Sequence, residues 1–255
     1  MNNKKIPIFS IIFQSVKSIK KIPAKKNVQV ILISFVFIIL NVIFFYSEIY
    51  NDIYYLLPYS LLLLINSSII AINIHRLNLV NNHYSLSIFY ITNFKIYSKY
   101  IVFSILLIFV DILISTIIIS YFHFIILIFK DIYNIDKIIK PISHFLKNNN
   151  LLTDMFKYFL QVPAHYVFSR LVLVLPFIAI DQSISLKNLW KISNKNGLRL
   201  LILVHFLPWL YFFFISNYKI KHDSIMHIII FSCINLIAMY IMVTITSISY
   251  RYITK

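Results

Sequence analysis

One glycine, Gly197, is all that 255 residues contain. A Walker loop or a dinucleotide-binding turn needs several glycines to bring backbone close to phosphate, so neither fits this chain. Close helix crossings of the GxxxG type are excluded as well. Cysteine is equally scarce. Cys233 stands alone in an apolar run, so no internal disulfide and no cysteine metal centre can form. Acids number 8 against 24 Lys and Arg, for a net charge of +16. Charged residues are 13% of the chain, where a water-soluble domain carries about 25%.

Apolar residues are abundant, at 60% of the chain with a mean hydropathy of +0.83. No single water-soluble core hides that much apolar surface, and a bilayer is its natural solvent. Crossing one takes about 20 mostly apolar residues. Six stretches qualify: 28–47, 53–74, 100–129, 156–180, 199–217 and 225–250. The expected fold is therefore an all-α integral membrane protein with six transmembrane helices spread over residues 28–250. Residues 1–27 form a basic amphipathic tail, and 251–255 a short closing one.

The basic residues set the expected direction. Sixteen Lys and Arg fall in the tails and in the second and fourth loops, against seven in the other loops. Glu48, Asp52, Asp131, Asp136, Asp154 and Asp223 all fall on the poorer side. The positive-inside rule then places both termini in the cytoplasm, in the bacterial inner membrane. There the lysines meet anionic lipid, which accounts for the charge without nucleic acid. The N-terminal run KKIPIFSIIF is too short for a signal peptide and lacks a small-residue cleavage site. Phe9, Ile12, Phe13, Val16 and Ile19 are spaced for one helical face, which predicts a helix lying on the cytoplasmic surface. Tyr46, Tyr50, Tyr54, Tyr55 and Tyr59 crowd the first outer turn and predict an aromatic belt. Ile132, Ile135, Ile138, Ile139, Ile142 and Phe145, with Pro141 among them, predict a broken helix on the outer surface.

Two basic segments match at an offset of 100. Ser85 pairs with Ser185, Leu86 with Leu186, Tyr90 with Trp190, Lys95 with Lys195 and Lys99 with Arg199. One reading is a unit used three times, a surface helix and then a two-helix hairpin. Chance similarity between basic amphipathic segments explains the matches equally well.

Two charges stand away from the span ends. Asp111 lies about eleven residues into the third span, and Arg170 about ten from the inner end of the fourth. At about 1.5 Å per residue their depths agree. A lone charge at mid-bilayer costs several kcal/mol, so the expectation is an Asp111–Arg170 contact. That contact either locks two helices or marks a lipid or solute site. Pro163, Pro176 and Pro208 each remove a backbone donor within the expected spans, which predicts kinked helices. Asn66, Asn73, Gln161, His123, His165, His205 and Asn235 lie within spans, where hydrogen bonding between helices is the default. His123 and His165 lack a carboxylate for a metal centre. No Ser-His-Asp or paired-carboxylate pattern is visible, so no enzyme, cofactor or metal site is expected.

From Arg170 the chain reads R-x5-P-x4-D, through Pro176 to Asp181, then Trp190 and Asn196-Gly197. This resembles a group of uncharacterised bacterial six-span inner-membrane proteins. That group is similar to the membrane domain of bacterial glycerophosphodiester phosphodiesterases. The motif covers about 30 residues, and the six-span layout the whole chain. The resemblance implies a structural motif at the end of a span and carries no activity, because the phosphodiesterase's catalytic domain is absent. The leading expectation is a non-catalytic envelope role, in lipid handling or in assembly of partner proteins, with a protein partner or a homo-oligomer. A small-solute or ion transporter using Asp111 and Arg170 is the alternative.

Overall fold

The computed structural model describes residues 5–19, 34–43, 53–80, 94–133, 150–217 and 225–254. Every regular element among them is helical. They are α1 (Ile8–Ile19), α2 (Ser34–Ile43), α3 (Ile53–Leu79), α4 (Phe94–Tyr133), α5 (Asn150–Leu171), α6 (Val174–Ala179) and α7 (Leu186–Ser193). There follow a 3-10 turn (Asn194–Asn196), α8 (Gly197–Leu200), a π-helical stretch (Leu201–Phe206), α9 (Leu207–Asn217) and α10 (Ile225–Thr254).

Five helical stretches are long and apolar enough to cross a membrane: Leu56–Leu79, Phe94–Ile128, Met155–Ala179, Leu186–Ile215 and Ile225–Thr254. They coincide with the last five of the six expected spans. Within the first, only Ser34–Ile43 is described, as a ten-residue apolar helix. Most of the expected outer-surface helix, and the 85–93 half of the matched segments, lie outside the described residues. At 40 residues α4 is about 60 Å long, twice the hydrocarbon thickness.

Prolines explain the breaks. Pro176 has no amide hydrogen and its ring would strike the carbonyl four residues back, that of Val172. The helix opens there. The Leu175 amide instead reaches the Val172 carbonyl in a tight turn (3.0 Å), and α6 restarts at Val174. Pro208 sits just beyond the π-helical turn, whose extra residue makes room for the same clash. Polar side chains inside the helices often satisfy themselves locally. Ser67 donates to the Leu64 carbonyl, Asn73 to Ile69, Thr116 to Ile112 and Ser232 to Ile228. This keeps hydroxyls and amides paired in an apolar setting.

The chain divides into two compact units. In the first, Met1–Ile105 with Ser169–Lys255, α10 is the hub. It packs on α1, α3, α6, α7 and the π-helical turn. Its residues 244–250, TITSISY, are buried on every side. Four of the seven are Ser or Thr, small residues that permit the close approach glycine would otherwise allow. Ile70 and Ile74 of α3 form an apolar cluster here with Phe37, Leu236, Met239, Tyr240 and Val243. Tyr59 is not part of an aromatic belt. It is buried, and its hydroxyl donates to the Leu40 carbonyl (2.5 Å), tying α3 to α2. Tyr54 is exposed, and the other members of that group lie outside what is described of the side chains.

The second unit, Leu106–Phe168, comprises most of α4 and α5. Leu107, Asp111, Ile114, Ser115, Ile118 and Ile125 line the better-covered side of α4. Phe109, Ile112, Leu113, Ile117 and Phe124 are exposed around the rest.

Candidate functional site

The motif segment folds onto itself within the first unit. Arg170 occupies the last turn of α5, immediately before the break that Pro176 imposes, and is 2% exposed. Its guanidinium carbon lies 3.6 Å from the centroid of the Trp190 ring. Its Nε donates to Ser193 Oγ (3.0 Å), and Nη2 donates to the Trp190 carbonyl. Trp190 and Ser193 belong to α7, which starts at Ser185, whose hydroxyl accepts from the Asn188 amide (3.3 Å) as a helix cap. Leu189 and Ser193 are the buried side of α7, and Lys187 and Lys191 are exposed. The arginine thus receives a ring face, a hydroxyl and a carbonyl. A guanidinium suits all three, since it is planar, stacks well and donates in a fixed fork.

Asp181 closes α6. The Gln182 amide donates to the Phe177 carbonyl (2.8 Å) and the Asp181 amide to Ile178 (3.0 Å), the Schellman pattern of a helix end. The position between requires left-handed backbone, and Asp181 takes it with φ of 58°. Glycine usually fills this place; Asp is among the few other residues that tolerate it. Arg76 at the end of α3 donates from Nε to the Ala179 carbonyl (2.7 Å), placing a positive charge on the open carbonyl end of α6.

Asn196 and Arg199 hold the N-terminal segment. The Ile6 amide donates to Asn196 Oδ1 (2.9 Å), and the Ile6 carbonyl accepts from Arg199 Nη1 (2.6 Å). Gly197, buried beside Asn196, has ordinary helical torsions (φ −53°). The single glycine is therefore not required by a left-handed turn.

A further polar centre went unseen in the sequence. His75 of α3 is buried, with Nδ1 2.7 Å from Ser247 Oγ on α10 and Nε2 3.1 Å from the Tyr100 hydroxyl on α4. Ser247 gives its own proton to the Val243 carbonyl (2.9 Å). Its oxygen therefore accepts from Nδ1–H, and in the neutral ring Nε2 accepts from Tyr100. One directed chain of hydrogen bonds joins three helices. Beside it, Asn78 donates to Thr244 Oγ1 (3.3 Å), Arg251 to the Asn78 carbonyl, and Tyr250 to Gln182 Oε1 (3.0 Å). Tyr250 also meets Phe177 edge-on at 4.6 Å.

In the second unit Asp111 meets His165, so that histidine does have a carboxylate beside it, contrary to the expectation from the sequence. Asp111 Oδ1 is 3.3 Å from His165 Nδ1, with the side chains 22% and 7% exposed. Tyr158, two turns before His165, tilts against its ring at 5.1 Å. His123, by contrast, is exposed. The two charges that the sequence paired by depth each have partners within their own unit: His165 for Asp111, and Trp190 with Ser193 for Arg170. Of the other polar span residues, Asn235 bonds between helices, accepting from the Tyr211 hydroxyl (3.1 Å).

Compared with family models, curated proteins and solved structures, the chain matches none.

Proposed function

We propose that this chain is a six-span protein of the bacterial inner membrane, with both termini cytoplasmic and a non-catalytic role in the envelope, the assembly of partner membrane proteins. The observation that carries this reading is α4. A helix of 40 residues is covered along one narrow stripe and exposes Phe109, Ile112, Leu113, Ile117 and Phe124 over the remainder. A long helix with apolar side chains exposed over most of its length suits the docking of another protein's helix. The motif residues from Arg170 to Gly197 stitch the first unit together, in keeping with the resemblance to six-span inner-membrane proteins.

A photo-crosslinking residue at Phe109 or Ile117, activated in cells, tests this. A discrete protein adduct on the gel is the expected result. Adducts to lipid alone would sink the assembly role and leave lipid handling.

A second reading, a small-solute or ion transporter, draws on the Asp111–His165 pair. Partly exposed ionisable groups within a span are expensive and mark ion or proton paths in other membrane proteins. Uptake into vesicles that disappears with Asp111→Asn would favour it over assembly.

A further inference from the structure

α1 presents two faces of opposite character. Ile11 and Ser15, one turn apart, are wholly buried, and the helix packs on α10. Phe9 and Phe13 are 87% and 71% exposed, and Val16 follows on the same side. Positions 9, 13 and 16 share one stripe of a helix. The helix has no freedom to roll this stripe inward, because Ile11 and Ser15 fix its rotation. Its entry is fixed as well, through both backbone groups of Ile6, held by Asn196 and Arg199. The result is an aromatic stripe held outward.

The chemistry around the stripe selects its occupant. Lys5 and Lys17 beside it are exposed. Residues 1–26 contain seven lysines, and no acid occurs before Glu48. At twelve residues α1 is too short to cross a bilayer. A short helix with aromatic residues on one side and lysines at its flanks suits the plane between acyl chains and anionic headgroups.

We propose that α1 is a fixed in-plane anchor, with Phe9, Phe13 and Val16 seated at the headgroup–acyl boundary of a leaflet rich in anionic phospholipid. Asn196 and Arg199 set its depth from the protein side. The anchor rests on the membrane reading of the chain and not on the assembly role, so either can fail alone.

The test uses the full chain in nanodiscs, with Cys233→Ser as background and a nitroxide on Phe13→Cys or Lys17→Cys. Collisions with oxygen and with a water-soluble nickel chelate report depth. The expected result is nickel collision at position 13 about five-fold below that at position 17. Mixing phosphatidylglycerol into phosphatidylcholine lowers the value at position 13 by about two-fold more, through attraction to the lysines. Val16→Cys repeats the reading with both phenylalanines in place, covering the case where Phe13 itself holds the helix down. Nickel collision at positions 13 and 16 as frequent as at 17 would overturn the anchor. So would suppression of both relaxants there, since that means protein, a second copy included, covers the stripe.

Discussion

The two units handle polar groups in opposite ways. The first is stitched through its interior: Arg170 on Trp190 and Ser193, Arg76 on Ala179, His75 between Ser247 and Tyr100, and Asn196 and Arg199 on Ile6. The second unit sets Asp111 against His165, with the Tyr158 ring beside them, on the side of α4 that Leu107, Ile114, Ser115 and Ile118 also line. In a chain with one glycine, helices gain close contact from serine and threonine, and firm attachment from arginines donating to backbone carbonyls. A carbonyl acceptor costs the sequence nothing, which is why so much of this stitching leaves no motif. The comparison also separates what each unit suits: a stiff scaffold in the first, and in the second a long helix with apolar side chains exposed over most of its described surface.

Removing the largest stitch gives the largest effect. Arg170→Ala takes the guanidinium from the Ser193 hydroxyl, from the Trp190 ring and from the Trp190 carbonyl, which keeps only the Ser193 hydroxyl as a side-chain donor at 3.3 Å. Hydrogen bonds from a charged group, with the ring contact beside them, contribute about 3 kcal/mol together. Arg170→Lys falls between, since an ammonium neither stacks on Trp190 nor forks to two acceptors. Thermal unfolding in detergent, followed by aggregation of purified protein, should rank wild type above Arg170→Lys above Arg170→Ala. Equal melting of all three would mean the guanidinium contributes little to the first unit.

Ser247→Ala comes next. It strips the acceptor from His75 Nδ1–H within a fully enclosed site, a loss of about 2 kcal/mol. Tyr100→Phe removes the other end of the same chain at similar cost. Because both act through one histidine, the double variant should lose less than the sum of the two. Strict additivity would dissolve the idea of a connected chain.

In the second unit the effect should be smaller. Asp111→Asn keeps an acceptor oxygen facing His165 and removes only the charge, about 1 kcal/mol. If that change costs as much as Arg170→Ala, the contrast between a stitched unit and a greased one is lost.

Much of this contrast was legible in part. The positions of the five long apolar helices followed from composition, because a run of apolar residues has few other uses. Arg170 stands out in the sequence for the same reason, as a charge in the wrong solvent. Its partner was not legible. Counting residues gives depth but neither the rotation of a helix nor the fold-back of α7, which brings Trp190 and Ser193 to the guanidinium. His75 lies one residue beyond the apolar run 53–74, so the sequence leaves it outside the span, whereas α3 continues to Leu79. A pointer did exist: the TITSISY run, too polar for a lipid-facing surface, marked a helix enclosed by others. Tyr59 is ambiguous in the sequence because tyrosine serves both at an interface and as a buried donor, and only the Leu40 carbonyl decides between them.

The smallest effect should carry the opposite sign. Asp181 holds the left-handed position that ends α6, at φ of 58°. A β-carbon there crowds the following carbonyl, at about 1 kcal/mol relative to glycine. Asp181→Gly removes that strain but loosens the unfolded chain, which returns part of the gain. The net expectation is a stabilisation of about 0.5 kcal/mol. Asp181→Val, with branching at the crowded carbon, should destabilise by more than that. The pair of variants separates two roles for the aspartate, since both remove the carboxylate and they differ in backbone freedom. A melting temperature that rises with glycine and falls with valine assigns Asp181 to the turn. If both variants fall together, the carboxylate itself matters, and the aspartate of the motif is held in the strained position for what it binds.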